Sequence, residues 1–463
     1  MKYRHDEDLS KMTEKKTAVV GAGITGLSAA WQAKQLGIEI DLFDSKKRTG
    51  GVINTENEDG WRYELGPNTL LLKDPEIEAL IDNLGLISRM ETANSESSKR
   101  FIVKDDQLRA LPQSLKGFFK TQLFSNSAKA RLLREPFARK TGADASIAEF
   151  FENRFGKEIL DYAVNPFIAG IHAGKPEDLS VKYAFPALHD LEETSGSVIL
   201  GGIRNMFKRK GQKKTKRRLI SFETGLHEIP AKMSSELSNI YSEHRLQRTE
   251  KLGDGWYIFT NHGKYGPYSD VVITIPLHKW DDKMLPISNS NLEKIRNVTY
   301  PPLSMMVLGY KKEHVAHPLD GFGFLVPEVE RRNILGALFT STLFKNRAPE
   351  GHHLLTVFAG GARQPDIAQM ESEKLLKLVE DDLKDLIGLT GSPVFKDHIY
   401  WPNSIPQYEK GYGEIYSILD ELERGNPGLH LAGNFRHGIS VPDCIKNGLK
   451  LGRKLADSAS VSA

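Results

Sequence analysis

Thr17–Val20 (TAVV), Gly21-Ala22-Gly23-Ile24-Thr25-Gly26 and Leu27–Gly37 (LSAAWQAKQLG) follow one another without a break and spell strand, tight turn, helix. The apolar run reads as a buried parallel strand. Leu27, Ala30, Trp31 and Lys34 recur at helical spacing, and Gly37 is placed to stop the helix. The glycines of the G-x-G-x-x-G pattern serve three different ends, namely the tight turn, close approach of backbone to a pyrophosphate, and close packing of helix on strand. The helix start then offers unpaired N–H groups and a partial positive charge to phosphate. A hexapeptide of this kind gains weight only from its context. Here Ile38–Phe43 (IEIDLF) supplies a second strand that ends at Asp44, followed by Ser45. An acid about 20 residues beyond the glycines can accept both hydroxyls of an adenosine ribose, which argues against a 2′-phosphate.

Working outward, Arg48-Thr49-Gly50-Gly51 and Val52-Ile53-Asn54-Thr55 follow, and then Glu64-Leu65-Gly66-Pro67-Asn68-Thr69. An arginine and paired glycines just after the ribose acid extend the phosphate-binding surface, with Arg48 a ready partner for phosphate oxygens. A plain nicotinamide domain needs no such second loop, so the pattern points to a flavin dinucleotide, FAD. At the far end of the chain Leu429–Ala432 (LHLA) reads as another buried strand, and Gly433 permits a turn that a side chain would block. Val441-Pro442-Asp443 begins a helix whose N-terminus can face the flavin and stabilise its reduced, anionic form.

These residues together resemble the flavin amine oxidase superfamily, and within it the porphyrinogen oxidases of heme synthesis. ELGPNT resembles the segment that runs beneath the flavin ring. The resemblance continues through Ser221–Leu226 (SFETGL), Asp270–Pro276 (DVVITIP), Gly321–Pro327 (GFGFLVP), Leu343–Gly351 (LFKNRAPEG), Trp401–Gly411 (WPNSIPQYEKG) and Gly438–Gly448 (GISVPDCIKNG). Amine oxidases share the two ends but not GFGFLVP or LFKNRAPEG, so the middle of the chain makes the resemblance specific.

The resemblance implies an α/β fold: a Rossmann-like FAD-binding domain, an α+β substrate domain and a helical insertion domain, of the flavin amine oxidase and p-hydroxybenzoate hydroxylase kind. The expected layout is a flexible N-terminus over 1–13 and a discontinuous FAD domain over 14–90, 219–300 and 426–463. A helical domain is expected over 108–213, which in some family members rests on a membrane, and a substrate domain over 91–107 and 301–425. Apolar residues at three and four spacing from Leu123 to Phe155 support the helical reading. Met305–Tyr310 and His353–Phe358 read as strands, and Leu375, Leu376, Val379, Leu386 and Ile387 as one face of an amphipathic helix.

Composition excludes several other classes. With 39% hydrophobic and 27% charged residues among 463, the chain is globular, and no apolar stretch reaches the roughly 18 residues a membrane span needs. The first residues are charged, unlike a secretory signal. A single cysteine, Cys444, rules out an internal disulfide and fits a buried small residue better than a nucleophile. A cytoplasmic location follows, with peripheral membrane contact left open. The basic run Lys208–Arg218 (KRKGQKKTKRR) carries eight cations; without them the formal charge of +3 becomes −5. It reads as a solvated loop, and no aromatic interleaving or motif makes it a nucleic-acid site. No HExxH, CxxC or spaced His/Cys set supplies a metal site, and no GxSxG elbow supplies a nucleophile. The chemistry belongs to the cofactor.

For activity, the resemblance implies six-electron oxidation of protoporphyrinogen IX to protoporphyrin IX through FAD, with O2 as acceptor and hydrogen peroxide released in each of three steps. The cofactor set is Gly21, Ala22, Gly23, Ile24, Thr25, Gly26, Asp44, Ser45, Arg48, Gly51, Val52, Gly66, Pro67, Asn68, Thr69, Leu246, Trp401, Gly433, Asn434, Ile439, Ser440 and Val441. Arg100 aligns with an arginine that pairs with a substrate propionate. Leu338 and Phe358, with Leu303, read as apolar walls. Asn68 is the one residue singled out beside the reacting centre, with no certain acid or base. Coproporphyrinogen III, with four propionates, is an alternative substrate that calls for more cations. An amine oxidase or desaturase, and a non-catalytic flavoprotein, are the other readings. A homodimer and product hand-off to a chelatase also remain open.

Overall fold

The computed structural model describes residues 15–208, 217–253 and 255–460. The N-terminus read as flexible, 1–13, and all but the ends of the basic run lie outside the described residues. The strand–turn–helix takes the form the glycines dictate. Strand Lys16–Val20 enters the turn, helix Ile24–Gln35 leaves it, and Gly37 follows the helix with φ of 86°. Strand Lys16–Val20 is the centre of a five-stranded parallel sheet in the order 239–241, 39–43, 16–20, 270–273, 429–431. Because all five strands run the same way, their following loops collect along one edge, and the strand order reverses beside the glycine turn. Such a crevice is where open α/β sheets bind ligands.

Two cores flank this sheet. On one side the N-terminal helix packs against the C-terminal helix Val441–Ser460, joined by Ile77, Leu80, Ile229 and Met233. The helices touch through glycines: a Cβ on Gly448 would lie 2.4 Å from the Thr25 carbonyl oxygen. On the other side lie the antiparallel strands 246–268 and helix Gly413–Gly425, whose Ile415, Ile418, Leu419 and Leu422 pack with Val271 and Leu429. That helix falls in the segment assigned by sequence to the substrate domain. Its apolar stripe instead completes the core of the parallel sheet.

A second sheet has seven strands, in the order 395–401, 303–311, 352–360, 334–338, 323–325, 101–104, 107–110. All neighbours are antiparallel except 323–325 with 101–104. The edge strand Gln107–Ala110 falls inside the segment read as helical from residue 108. It exists because Asp105 and Asp106 both adopt left-handed φ, 54° and 58°, and close a tight hairpin. Helix Ser372–Ile387 covers one face of the sheet, burying Leu375, Val379 and Leu383 against Met306, Leu355 and Val357. From residue 115 to 208 the chain is helical in short pieces, held together by an interior ion cluster. Arg154 Nη1 lies 2.6 Å from Glu135, and its Nη2 lies 2.6 Å from Glu192, all three fully buried.

The close helix contact gives the first test. Gly448→Ala should cost about 1–3 kcal/mol through overpacking. It should appear as a lower urea midpoint with an unchanged slope; an unchanged midpoint would show that the two helices can separate freely.

Candidate active site

At the glycine turn, backbone replaces side chain at every close approach. A Cβ on Gly26 would lie 2.0 Å from the Gly21 oxygen, one on Gly51 3.0 Å from Gly23 Cα, and one on Gly66 2.2 Å from the Val52 oxygen. The turn, the 50–52 loop and the 65–69 segment are therefore layered directly on one another. Gly50 N–H donates to the Ala22 carbonyl at 2.7 Å and Gly21 N–H to the Phe43 carbonyl at 2.8 Å. Gly23 is the helix N-cap; it brings no capping side chain, and the first turn carries no acid. A Cβ on Gly23 itself would meet nothing within 4 Å, so open space lies over the helix start. An uncapped helix start facing open space is what a dinucleotide pyrophosphate requires.

Asp44 follows the second strand and lies beside the glycine turn. Its Oδ2 accepts the Ala22 N–H at 2.7 Å and its Oδ1 the Lys46 N–H at 2.8 Å. The segment approaching Leu246 adjoins it, with His244 N–H donating to the Asp44 carbonyl. Lys279 lies near both Asp44 and Lys46, and burial holds its ammonium below the ordinary lysine range. Arg48 also has a role within the loop itself. Its guanidinium donates to the carbonyls of Thr49, Gly51 and Ile53, at 2.7, 2.7 and 2.8 Å, so it shapes the second loop from within.

The 65–69 segment is fixed from two directions. Behind it, Glu64 is buried with Arg347: Nη1 donates to Oε1 at 3.2 Å, the Thr55 hydroxyl to Oε2 at 2.6 Å, and the Leu226 N–H to Oε1 at 3.1 Å. Arg347 also donates to the Ser221 hydroxyl at 2.7 Å. Burial pushes the carboxyl up and the guanidinium down, while each partner's charge opposes the other's shift. In front, Trp401 Nε1 donates to the Leu65 carbonyl at 3.1 Å. Asn68 donates its Nδ2 to the Gly66 carbonyl at 3.0 Å and leaves Oδ1 buried without a partner. The Glu64–Arg347 pair was not found by sequence reasoning, although both residues lie in quoted motifs.

Segment 61–65 lies on the face of the second sheet opposite its covering helix. Trp61 and Tyr63 pack on Val307 and Leu354, and Leu65 lies against them. Strand alternation puts Leu303, Met305, Leu338, Phe358 and Arg100 on the same face, since Met306, Ala337, Val357, Ala359 and Phe101 face the helix side. Met305 pairs with Phe358, and Gly323 with Leu338. Leu303, Leu338 and Phe358 are partly accessible, while their strand neighbours Ser304, Ala337, Val357 and Ala359 are buried. Arg100 is exposed, forms no ion pair among the described residues, and sits 5.3 Å from the centre of the Phe322 ring. The site thus has an apolar wall with one unpaired cation at its end.

From the C-terminal side, Gly433 has φ of 156° and a Cβ there would strike the Phe435 ring, 2.5 Å away. Asn434, Ile439 and Ser440 lead from it into Val441 at the start of the C-terminal helix. Cys444 is buried and its thiol is pushed up to about 12 by burial, an unreactive group.

Residues 24–451 match the family of flavin containing amine oxidoreductases. The chain belongs to that family. It is 32% identical to protoporphyrinogen oxidase 2 of Arabidopsis thaliana, covering 96% of this chain and 94% of the relative. It is 27% identical to coproporphyrinogen III oxidase of Bacillus subtilis (strain 168), covering 94% and 96%. A solved structure of a provisionally named protoporphyrinogen oxidase from Exiguobacterium sp. 255-15 has the same fold, with a TM-score of 0.81 at 24% identity, over 96% of this chain and 100% of that one. The cofactor of this flavoenzyme is FAD, and the residues fit it: an uncapped helix start, open space over Gly23, and an unpartnered Asn68 oxygen within the 65–69 segment.

Because Gly23 has an ordinary φ of −71° and room for a side chain, Gly23→Asp should fold with the Tm of the wild-type apoprotein. Its carboxylate would repel the pyrophosphate, so the purified variant should be colourless. A yellow variant with full flavin absorbance would refute this placement of the dinucleotide.

Proposed function

We propose that this flavoenzyme is an oxygen-dependent protoporphyrinogen oxidase, converting protoporphyrinogen IX to protoporphyrin IX. When bound, FAD supplies the two-electron acceptor that O2 renews. The chain's own residues bind, orient and dry the substrate. Leu303, Leu338 and Phe358 offer apolar surface to a tetrapyrrole, and Trp401 fixes the 65–69 segment opposite them through Leu65. The carrying observation is Arg100, an arginine that forms no ion pair among the described residues and stands at the end of a largely apolar face. An anionic substituent of a large apolar substrate is the natural partner for it.

The same observation favours two propionates over four. The cations nearest Arg100 in sequence are already paired, Lys99 with Asp320 and Lys104 with Glu158. Coproporphyrinogen III is the competing substrate. Arg100→Ala should raise KM about tenfold, on the scale of one charge-assisted hydrogen bond, and leave kcat and flavin content unchanged. Unchanged kinetics would remove Arg100 from the site. Parallel turnover should favour protoporphyrinogen IX, and a preference for coproporphyrinogen III would reassign the substrate.

Peripheral membrane contact is part of this reading. No helix among the described residues is long and apolar enough to cross a membrane. Leu133, Phe137, Leu200, Ile203, Met206 and Phe207 are nevertheless exposed on adjoining segments of the helical region. The protein should co-float with anionic vesicles, and Phe137→Ser/Phe207→Ser should weaken that binding; no flotation of the wild type would exclude it.

A further inference from the structure

Three tyrosines outside the expected cofactor set converge on the loop that delivers the C-terminal helix to the flavin. Tyr408, Tyr412 and Tyr416 are spaced four residues apart. Their rings contact in series, with centroids 4.6 Å apart between the first two and 5.8 Å between the last two. Each hydroxyl ends on the backbone of the loop 434–438. Tyr408 Oη donates to the Asn434 carbonyl at 2.7 Å and accepts the Gly438 N–H at 3.2 Å. Tyr412 Oη donates to the Phe435 carbonyl at 2.9 Å, and Tyr416 Oη accepts the His437 N–H at 2.7 Å. A phenol suits these contacts, since it is both donor and acceptor. Burial raises all three hydroxyls further above their ordinary range, so they stay protonated.

The loop needs such support. Gly433 and Gly438 have φ of 156° and 118°, and His437, a residue with a side chain, is left-handed at 65°. Arg436, whose backbone the tyrosines do not touch, is anchored separately through its guanidinium to Glu423 at 3.0 Å and the Leu431 carbonyl at 3.1 Å. We propose that Tyr408, Tyr412 and Tyr416 are positioning residues. They form a ladder that holds Asn434–Gly438 in its strained shape, so that the start of helix Val441–Ser460 stays at the flavin and sets FAD affinity and reduction potential. The proposal rests on the flavin oxidase reading of the site.

Phenylalanine keeps each ring and removes only the hydroxyl. Tyr412→Phe and Tyr416→Phe should each weaken FAD binding about tenfold, the worth of one buried hydrogen bond, in fluorescence titration of the apoprotein. The midpoint potential of bound FAD should become more negative as the helix start recedes, and amide exchange should quicken in 434–438. Tyr183→Phe is the control. Its ring contacts Tyr412 and Tyr416 but its hydroxyl makes no bond to this loop, and FAD affinity should not change. Wild-type affinity, potential and exchange in the combined Tyr408→Phe/Tyr412→Phe/Tyr416→Phe variant would overturn the ladder while leaving the oxidase reading intact. An equal effect from Tyr183→Phe would also overturn it. Failure of the wild-type apoprotein to bind FAD would instead strike at the oxidase reading itself.

Discussion

Three backbones meet in this protein at distances that leave little or no room for a side chain. The Gly21 oxygen occupies the place of a Gly26 Cβ, Gly23 Cα lies against Gly51, and the Val52 oxygen lies against Gly66. Steric exclusion of Cβ atoms, rather than any one attraction, thus fixes how the first helix, the second loop and the 65–69 segment are layered. With those layers set, the uncapped helix start faces open space, and Asp44 reaches the Ala22 N–H from the neighbouring strand. The C-terminal helix approaches by the same device, through Gly448 and Gly452.

The 61–69 segment also packs on the second sheet, and a buried ion pair fixes it there. Glu64 comes from the hairpin that follows the cofactor loops and Arg347 from the middle of the second sheet's sequence, 283 residues away. Loss of one partner would strand the other charge in the interior, whereas the intact pair is supported by hydrogen bonds with Thr55, Leu226 and Ser221. Trp401 closes the other side through the Leu65 carbonyl. The apolar face carrying Leu303, Leu338 and Phe358 is held in register with residues 65–69 by these contacts.

What the sequence made legible is what short-range physics controls. The glycine turn, the strand ending at Asp44, the helix stop at Gly37 and the amphipathic stripe of 375–387 each follow from residues within a few positions of one another. Long-range packing was not legible in this way. Helix Gly413–Gly425 has an apolar stripe that any core could have taken, and the parallel sheet took it. The strand Gln107–Ala110 depends on two aspartates turning left-handed, which a helical reading of the following residues obscured. The glycines beside Arg48 marked it as a phosphate partner, but its bonds to the carbonyls of Thr49, Gly51 and Ile53, which hold the loop in shape, were not legible. The Tyr408–Tyr412–Tyr416 spacing was visible, but its meaning lay in a loop about 20 residues further on whose shape the tyrosines themselves support.

The central claim is that one FAD, cradled by the glycine turn and facing the Leu338–Phe358 wall, oxidises a porphyrinogen with O2. The most direct measurement follows porphyrin fluorescence and peroxide together when purified, FAD-loaded protein meets protoporphyrinogen IX in air. The account predicts enzyme-dependent porphyrin formation with three peroxides released for each porphyrin, and none without oxygen. Protein that retains its FAD yet forms porphyrin no faster than buffer would contradict it.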